Sequence, residues 1–204
     1  MRANFPRWVV LFVLMLGCAK HPGVSPPKTA ASKPASAGGI NRQSIAPGPN
    51  LQALSAYQKG VEFYAKENLE AAAKAFEEAQ KIAPGLALPA YGSGLVCLRR
   101  NQFKEAAAAF SRAIANKTNF PQAYLGLGIA QRHLGEFRAA ERAYLEGIKY
   151  DGSLANLHYN LGILYEVYLG EPKDALKQYQ VYLSLAQKNA DERVKTWVSL
   201  LQKD

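Results

Sequence analysis

From about residue 51 onward, apolar and polar positions follow the spacing of amphipathic helices rather than that of strands. In residues 137–150, for example, apolar and small side chains recur at intervals of three and four, which places them on one side of a helix. Turn residues such as Gly, Asn and Pro separate the segments. The pattern predicts helices over 51–66, 69–83, 87–100, 103–117, 121–134, 137–150, 154–168 and 172–187, and a ninth over 191–203.

The same residue types return at a fixed spacing of 34 residues. The recurring positions are one glycine (Gly60, Gly94, Gly128, Gly162), one alanine (Ala72, Ala106, Ala140, Ala175) and one aromatic residue (Phe76, Phe110, Tyr144, Tyr179). In the fourth copy one extra residue delays the alanine and the aromatic residue by one position, and we expect it to lie in the turn between two helices. A period of this length, with two helices in each unit, predicts a solenoid of stacked repeats.

The recurring glycines require a packing explanation, because glycine inside a helix costs about 1 kcal/mol relative to alanine. Two helices approach to roughly 8–10 Å only where their contact carries small side chains. We therefore expect each glycine to face the alanine of its own repeat.

These positions resemble the tetratricopeptide repeat, whose 34-residue pattern places Gly on helix A and Ala and an aromatic residue on helix B. The resemblance implies an all-α fold, a right-handed α-α superhelix of about four helix-turn-helix repeats with a capping helix. The domain would cover 51–204, divided as 53–86, 87–120, 121–154, 155–189 and a cap over 190–204. The stripe of Val194, Trp197, Val198 and Leu201 gives the cap one apolar face.

The N-terminal 17 residues have the order of a secretory leader, with Arg2 and Arg7 before an apolar run from Trp8 to Leu16. This run is too short to span a bilayer. The end of the leader, Met-Leu-Gly-Cys, resembles a bacterial lipobox, which implies cleavage before Cys18 and lipid attachment to it. The alternative is an ordinary secretory leader in which Cys18 is incidental. Residues 18–50 would carry the lipid anchor and a disordered tether rich in Pro, Ala and Ser.

The net charge of +9 does not indicate a nucleic-acid-binding domain. Six of the 25 basic residues and none of the 16 acidic residues precede residue 53, so the repeat region is nearly balanced. Its histidines, His133 and His158, have no metal-ligand or nucleophile motif around them. We expect no enzymatic activity, no cofactor or metal, and no small-molecule substrate.

In the tetratricopeptide repeat family, partners bind the concave face through helix A, mainly at its fifth and ninth positions. These positions are apolar or aromatic here, which favours an apolar peptide or an amphipathic helix over a clamp for a terminal carboxylate. The alternative is that neighbouring A helices bury these residues against each other. Including the twelfth positions, the predicted groove comprises Tyr57, Val61, Tyr64, Tyr91, Leu95, Leu98, Leu125, Ile129, Arg132, Tyr159, Ile163 and Glu166.

The succession of leader, tether and solenoid resembles pilotin-like tetratricopeptide repeat lipoproteins. It implies an envelope-anchored scaffold, most simply on the periplasmic face of the outer membrane, that binds a protein partner. The scaffold would help to assemble an outer-membrane machine for type IV pili and their secretin, for motility or for polysaccharide export. The alternative is an adaptor that recruits peptidoglycan enzymes.

Overall fold

The computed structural model describes residues 49–187 and 190–202, and within these ranges the chain is helical with no strand. The nine α-helices found there are α1 (Pro49–Ala65), α2 (Leu69–Ile82), α3 (Ala87–Arg99), α4 (Phe103–Asn116), α5 (Pro121–His133), α6 (Phe137–Tyr150), α7 (Ala155–Ile163), α8 (Pro172–Ala186) and α9 (Glu192–Leu201). Their ends lie within two residues of the predicted ones, except that α7 passes into a π-helical segment before its predicted end.

Consecutive helices pack in pairs, α1 with α2, α3 with α4, α5 with α6 and α7 with α8. We call the first helix of each pair an A helix and the second a B helix. Each B helix also packs against the next A helix, and A helices of neighbouring repeats contact each other directly, whereas B helices do not to a comparable extent. The A helices therefore line the inner side of the stack, and the predicted all-α solenoid is confirmed.

The recurring glycines of the A helices have an aromatic ring as their nearest neighbour, rather than the expected alanine. A Cβ atom at Gly60 would lie 2.5 Å from the Phe76 ring, and a Cβ atom at Gly94 would lie 2.7 Å from the Phe110 ring. The recurring alanines are fully buried, but the aromatic residue four positions later on helix B reaches the glycine first. A planar ring fits against a bare backbone, so the glycine provides space for a ring.

The ring is also contacted by a second glycine from the neighbouring repeat. This glycine lies on the next A helix, two positions before the recurring glycine of that helix. A Cβ atom at Gly92 would lie 2.6 Å from the ring of Phe76, and one at Gly126 would lie 2.4 Å from that of Phe110. Each of these phenylalanines is therefore held between the glycines of two successive A helices. This arrangement joins adjacent repeats as well as the two helices of one repeat.

The extra residue of the fourth repeat lies inside its A helix, which corrects the prediction that it lies in the turn. After Ile163, helix α7 continues as a π-helical segment, Leu164–Leu169, and ends at Gly170 with a φ of 67°. A π-helical turn takes up one additional residue while the helix axis continues. The turn itself keeps the form found in the other repeats, whose corresponding residues Glu67, Asn101 and Gly135 also have positive φ.

Helix α9 covers the last repeat on the side where a fifth A helix would otherwise pack. Its residue Val194 is fully buried, and the ring of Trp197 lies 5.7 Å from that of Tyr179 on α8. Tyr179 is held from the other side by Gly162, where a Cβ atom would lie 2.5 Å from its ring. Tyr179 therefore contacts a tryptophan of the cap, whereas Phe76 and Phe110 contact a glycine of the next A helix.

Candidate functional site

The twelve residues predicted to form the groove lie on the four A helices, and none of them is fully exposed. Five of the twelve are half-buried, namely Val61, Tyr64, Leu98, Ile163 and Glu166. The other seven are buried, and they are Tyr57, Tyr91, Leu95, Leu125, Ile129, Arg132 and Tyr159. A partner could reach the first group without rearrangement of the fold.

The buried tyrosines at the fifth positions pack against aromatic residues of their own repeat. The ring of Tyr57 lies 5.5 Å from Phe76, that of Tyr91 lies 5.7 Å from Phe110, and that of Tyr159 lies 5.2 Å from Tyr182. Such tilted pairs stabilise a core beyond the area that they bury. Burial alone raises the pKa of the Tyr57 hydroxyl to about 12. The tyrosines at the fifth positions therefore contribute to the core by packing on helix B of their own repeat, a contact that neither interpretation of the sequence named.

The accessible row on the A helices lies one turn further on, at the thirteenth position of each repeat. Ala65, Arg99, His133 and Val167 occupy it, and all four are exposed. The sequence carried a signal for this row, because the step of four residues from the fifth to the ninth position reaches the thirteenth next. The groove prediction used the twelfth positions, and therefore missed these residues.

The accessible row combines cationic and aromatic groups with apolar ones. The Arg99 guanidinium lies 5.8 Å from the centre of the Tyr64 ring and pairs with Glu67. The His133 ring stacks on Phe103 at 4.3 Å, nearly parallel to it. Val167 and its neighbour Tyr168 are both about two-fifths exposed. A surface of this kind suits contact with a protein, since aromatic residues and arginine are enriched at such interfaces.

Side chains with potential chemical activity have structural partners. His158 is buried, with Nδ1 2.8 Å from the side-chain oxygen of Gln178 and Nε2 3.0 Å from the carbonyl oxygen of Gly152. Burial raises the pKa of the Cys97 thiol, which keeps it in the unreactive protonated form near neutral pH. Among residues 49–187 and 190–202, no three His, Cys, Asp or Glu side chains are grouped so that they could hold a metal ion.

The predicted leader, the lipid-attachment residue Cys18 and the tether lie outside the described residues, apart from the last two residues of the tether. Within the described part of the chain, every helix is too short or too polar to cross a bilayer.

The fold and the accessible row define a repeat scaffold with a surface suited to protein contact. The tetratricopeptide repeat model matches residues 57–124, 91–151 and 125–191 in overlapping segments. The chain therefore belongs to the tetratricopeptide repeat family, whose members typically act as non-enzymatic scaffolds for protein interaction.

Solved structures share the same fold at low sequence identity. MamA aligns with a TM-score of 0.65 at 21% identity, over 74% of this chain and 81% of MamA. PilF of Pseudomonas aeruginosa aligns with a TM-score of 0.69 at 18% identity, over 77% of this chain and 70% of PilF. The first repeat domain of Spaghetti (RPAP3), bound to the HSP90 peptide SRMEEVD, aligns with a TM-score of 0.57 at 16% identity, over 59% of this chain and 95% of that domain. No curated protein sequence matches this chain.

Proposed function

We propose that this protein is a lipid-anchored scaffold of the bacterial cell envelope that binds a protein partner along its A helices and helps to assemble an outer-membrane machine. The observation that carries the proposal is the order of parts in one chain. A predicted leader over residues 1–17 precedes Cys18 and a Pro-rich segment, and a repeat solenoid without a metal-binding cluster in its described residues follows. The similarity of fold to PilF is consistent with this role.

The accessible row supports a protein rather than a nucleic acid as the partner. In the row itself Arg99 is paired with Glu67 and Val167 is apolar, and the half-buried residues beside the row include Val61 and Leu98. A nucleic-acid partner would require a surface of unpaired cations instead. The half-buried residues also provide apolar contacts on which a helix or an extended segment could pack.

Two substitutions of similar character test where the partner binds. Val167→Glu places a carboxylate on the accessible row, at a side chain that is 41% exposed, and Leu145→Glu does the same on helix B α6, at a side chain that is 44% exposed. Because both sites are exposed, we expect the melting temperature of both variants to stay close to that of the wild type.

The assay is affinity capture from detergent-solubilised envelopes, with each captured protein identified by mass spectrometry. We expect Val167→Glu to lose an integral outer-membrane subunit that the wild type and Leu145→Glu both retain. Loss of a soluble peptidoglycan hydrolase instead would support the adaptor role. Equal capture by both variants would contradict binding along the A helices.

The membrane anchor is tested separately with Cys18→Ala. We expect this variant to lose incorporation of labelled palmitate and to leave the outer-membrane fraction on density-gradient separation, because the acyl chains supply the membrane affinity. A Cys18→Ala protein that still fractionates with the outer membrane would refute the anchor.

A further inference from the structure

Arg132 is the one buried side chain with a permanent charge in the described part of the chain. It lies near the end of α5, at the twelfth position of the third repeat, and only 6% of it is exposed. Its Nε atom is buried without a hydrogen-bond partner. Among the described residues, no carboxylate oxygen lies within 4.0 Å of the guanidinium nitrogens of Arg132, which is the limit for an ion pair.

The contacts of Arg132 are with tyrosines. Its Nη1 atom donates a long hydrogen bond of 3.4 Å to the Tyr168 hydroxyl, and the guanidinium carbon lies 5.6 Å from the centre of the Tyr168 ring. Burial raises the pKa of the fully buried Tyr144 hydroxyl, and the neighbouring Arg132 guanidinium lowers it through its charge and its N–H groups. A guanidinium stays protonated at any physiological pH, so the charge cannot be removed by deprotonation.

Two acidic groups of the neighbouring elements, Glu141 and Glu166, are engaged with other residues. Glu141 on α6 pairs with Arg138 and accepts a hydrogen bond from Tyr165. Glu166, in the π-helical segment, accepts a hydrogen bond of 2.7 Å from the hydroxyl of Tyr179. The protein therefore buries a cation without the counter-charge that normally makes such burial tolerable.

The paired arginines of this domain show the opposite arrangement. Arg99, Arg138 and Arg193 each form an ion pair and are each exposed, where pairing contributes little to stability. Arg132 differs from these arginines because it is buried and has tyrosine hydroxyls, rather than a carboxylate, as its neighbours.

We propose that Arg132 and Tyr168 together recognise a carboxylate that the partner supplies. This inference rests on the proposed function, since it names the chemistry of the partner at the same surface. Tyr168 is 40% exposed, adjoins Val167 of the accessible row and is hydrogen-bonded to Arg132, so a partner that contacts Tyr168 lies close to the guanidinium. An arriving carboxylate would replace the long bond of Nη1 with a charge-assisted one of about 2.7–2.9 Å and could accept a second bond from the Tyr168 hydroxyl.

A carboxylate fits this position better than a phosphate does. One guanidinium compensates one negative charge, whereas a phosphate group with nearly two charges would leave an uncompensated charge in a buried place. Arg132 lies at the twelfth position of its repeat. The family clamps a terminal carboxylate at the fifth and ninth positions, which are apolar or aromatic in this chain. The carboxylate can belong to an acidic side chain or to the end of the partner's chain.

The first test compares the stability of the 204-residue chain with that of Arg132→Met and Arg132→Lys, in sodium acetate and in sodium chloride of equal ionic strength. We expect acetate to raise the melting temperature of the wild type above its value in chloride and to leave Arg132→Met unaffected. In chloride, Arg132→Met should be at least as stable as the wild type, because it removes an uncompensated charge and keeps the volume. Arg132→Lys, which keeps the charge, should still respond to acetate.

A structural role for Arg132 gives a different set of results. Arg132→Met would then melt below the wild type in chloride, and acetate would have no specific effect on either protein. Either of these results would overturn the proposal. Circular dichroism of each variant shows whether it is folded before the comparison is made.

The second test distinguishes the two sources of the carboxylate with three peptide probes measured by calorimetry. The first is acetyl-Leu-Val-Glu-Val-Leu-amide, the second is acetyl-Leu-Val-Gln-Val-Leu with a free terminal carboxylate, and the third is the neutral acetyl-Leu-Val-Gln-Val-Leu-amide. We expect one of the charged probes to bind better than the neutral one, by about 10-fold or more, and to lose this advantage with Arg132→Met. Equal binding of all three would refute the inference.

Failure of this inference can be separated from failure of the proposed function. If Arg132→Met retains the envelope partner that Val167→Glu loses, the partner binds the A helices without Arg132. If neither variant loses a partner, the proposed surface itself is wrong.

Discussion

The contact between the Phe110 ring and Gly126 gives the sharpest test of how the repeats are joined. A Cβ atom at residue 126 would lie 2.4, 2.6 and 2.7 Å from three carbon atoms of that ring. Carbon atoms without a bond between them are stable at about 3.5–4.0 Å, so the Gly126→Ala substitution requires the ring to move by roughly 1 Å. The ring is fully buried, and Gly94 confines it on the other side, where a Cβ atom would lie 2.7 Å away.

Two opposing terms determine the effect of Gly126→Ala on the free energy of unfolding. Alanine gains up to about 1 kcal/mol over glycine inside a helix. Overpacking of a confined core costs about 1–3 kcal/mol, and the confinement by Gly94 places this site toward the upper end. We therefore expect a net loss of about 2 kcal/mol, which lowers the melting temperature of a domain of this size by about 4–8 °C.

The assay is thermal and urea unfolding followed by circular dichroism, with Gly85→Ala as the matched control. A Cβ atom added at Gly85 would have no heavy atom within 4 Å, so alanine there should be neutral or slightly stabilising. A third variant, Phe110→Leu, replaces the ring with a smaller aliphatic side chain and should itself lower the free energy of unfolding by about 1–2 kcal/mol.

The double variant Gly126→Ala with Phe110→Leu identifies the cause of the loss. A methyl group at residue 126 should partly fill the space that the ring leaves, so the double variant should be more stable than the sum of the single effects by about 1 kcal/mol. Strict additivity, or a Gly126→Ala protein as stable as Gly85→Ala, would refute the idea that the ring requires glycines on both sides.

Three further predictions concern the turns, the buried tyrosines and the groove. Gly135 has a φ of 79°, and a Cβ atom added there would meet no other atom within 4 Å. Gly135→Ala should therefore cost about 1–2 kcal/mol through backbone strain alone. An unfolding midpoint equal to that of Gly85→Ala would contradict this. The raised pKa of Tyr57, about 12, means that its contribution to stability is complete below pH 10 and is lost as the pH rises from about 10 toward 12. Tyr57→Phe, which removes an unpartnered buried hydroxyl, should lessen that alkaline loss in urea unfolding; an identical pH profile would show that the residue is ionised as readily as in the unfolded chain. Tyr159 is buried against Tyr182, so Tyr159→Glu should lower the melting temperature. An unchanged melting temperature together with loss of the partner would show instead that Tyr159 binds the partner.

The sequence alone was sufficient for the helices and for the all-α solenoid. Helical periodicity and turn residues are local signals, and the return of Gly, Ala and an aromatic residue every 34 positions requires one packing arrangement to be repeated. The same recurrence indicated a scaffold, because no motif of a catalytic or metal site accompanies it.

The exposure of the predicted groove residues could not be read from the sequence, since helical periodicity identifies an apolar face without showing how much of it a neighbouring helix covers. Tyr57 and Val61 lie on the same face of α1, yet the first is buried against Phe76 and the second is half-buried. The difference depends on the relative placement of α1, α2 and α3, which no local pattern contains. A step of one further turn would have reached the accessible row, which includes Arg99 and Val167.

The contacts of the glycines, the place of the extra residue and the burial of Arg132 were decided only by the tertiary structure. Each depends on atoms that are far apart in the chain: Phe110 and Gly126 across a repeat boundary, or Arg132 and Tyr168 from different repeats. The sequence showed that small residues and a cation occupy these positions. Only the stacking of neighbouring repeats determines that a ring fills the space beside the glycines and that the cation is left without a counter-charge.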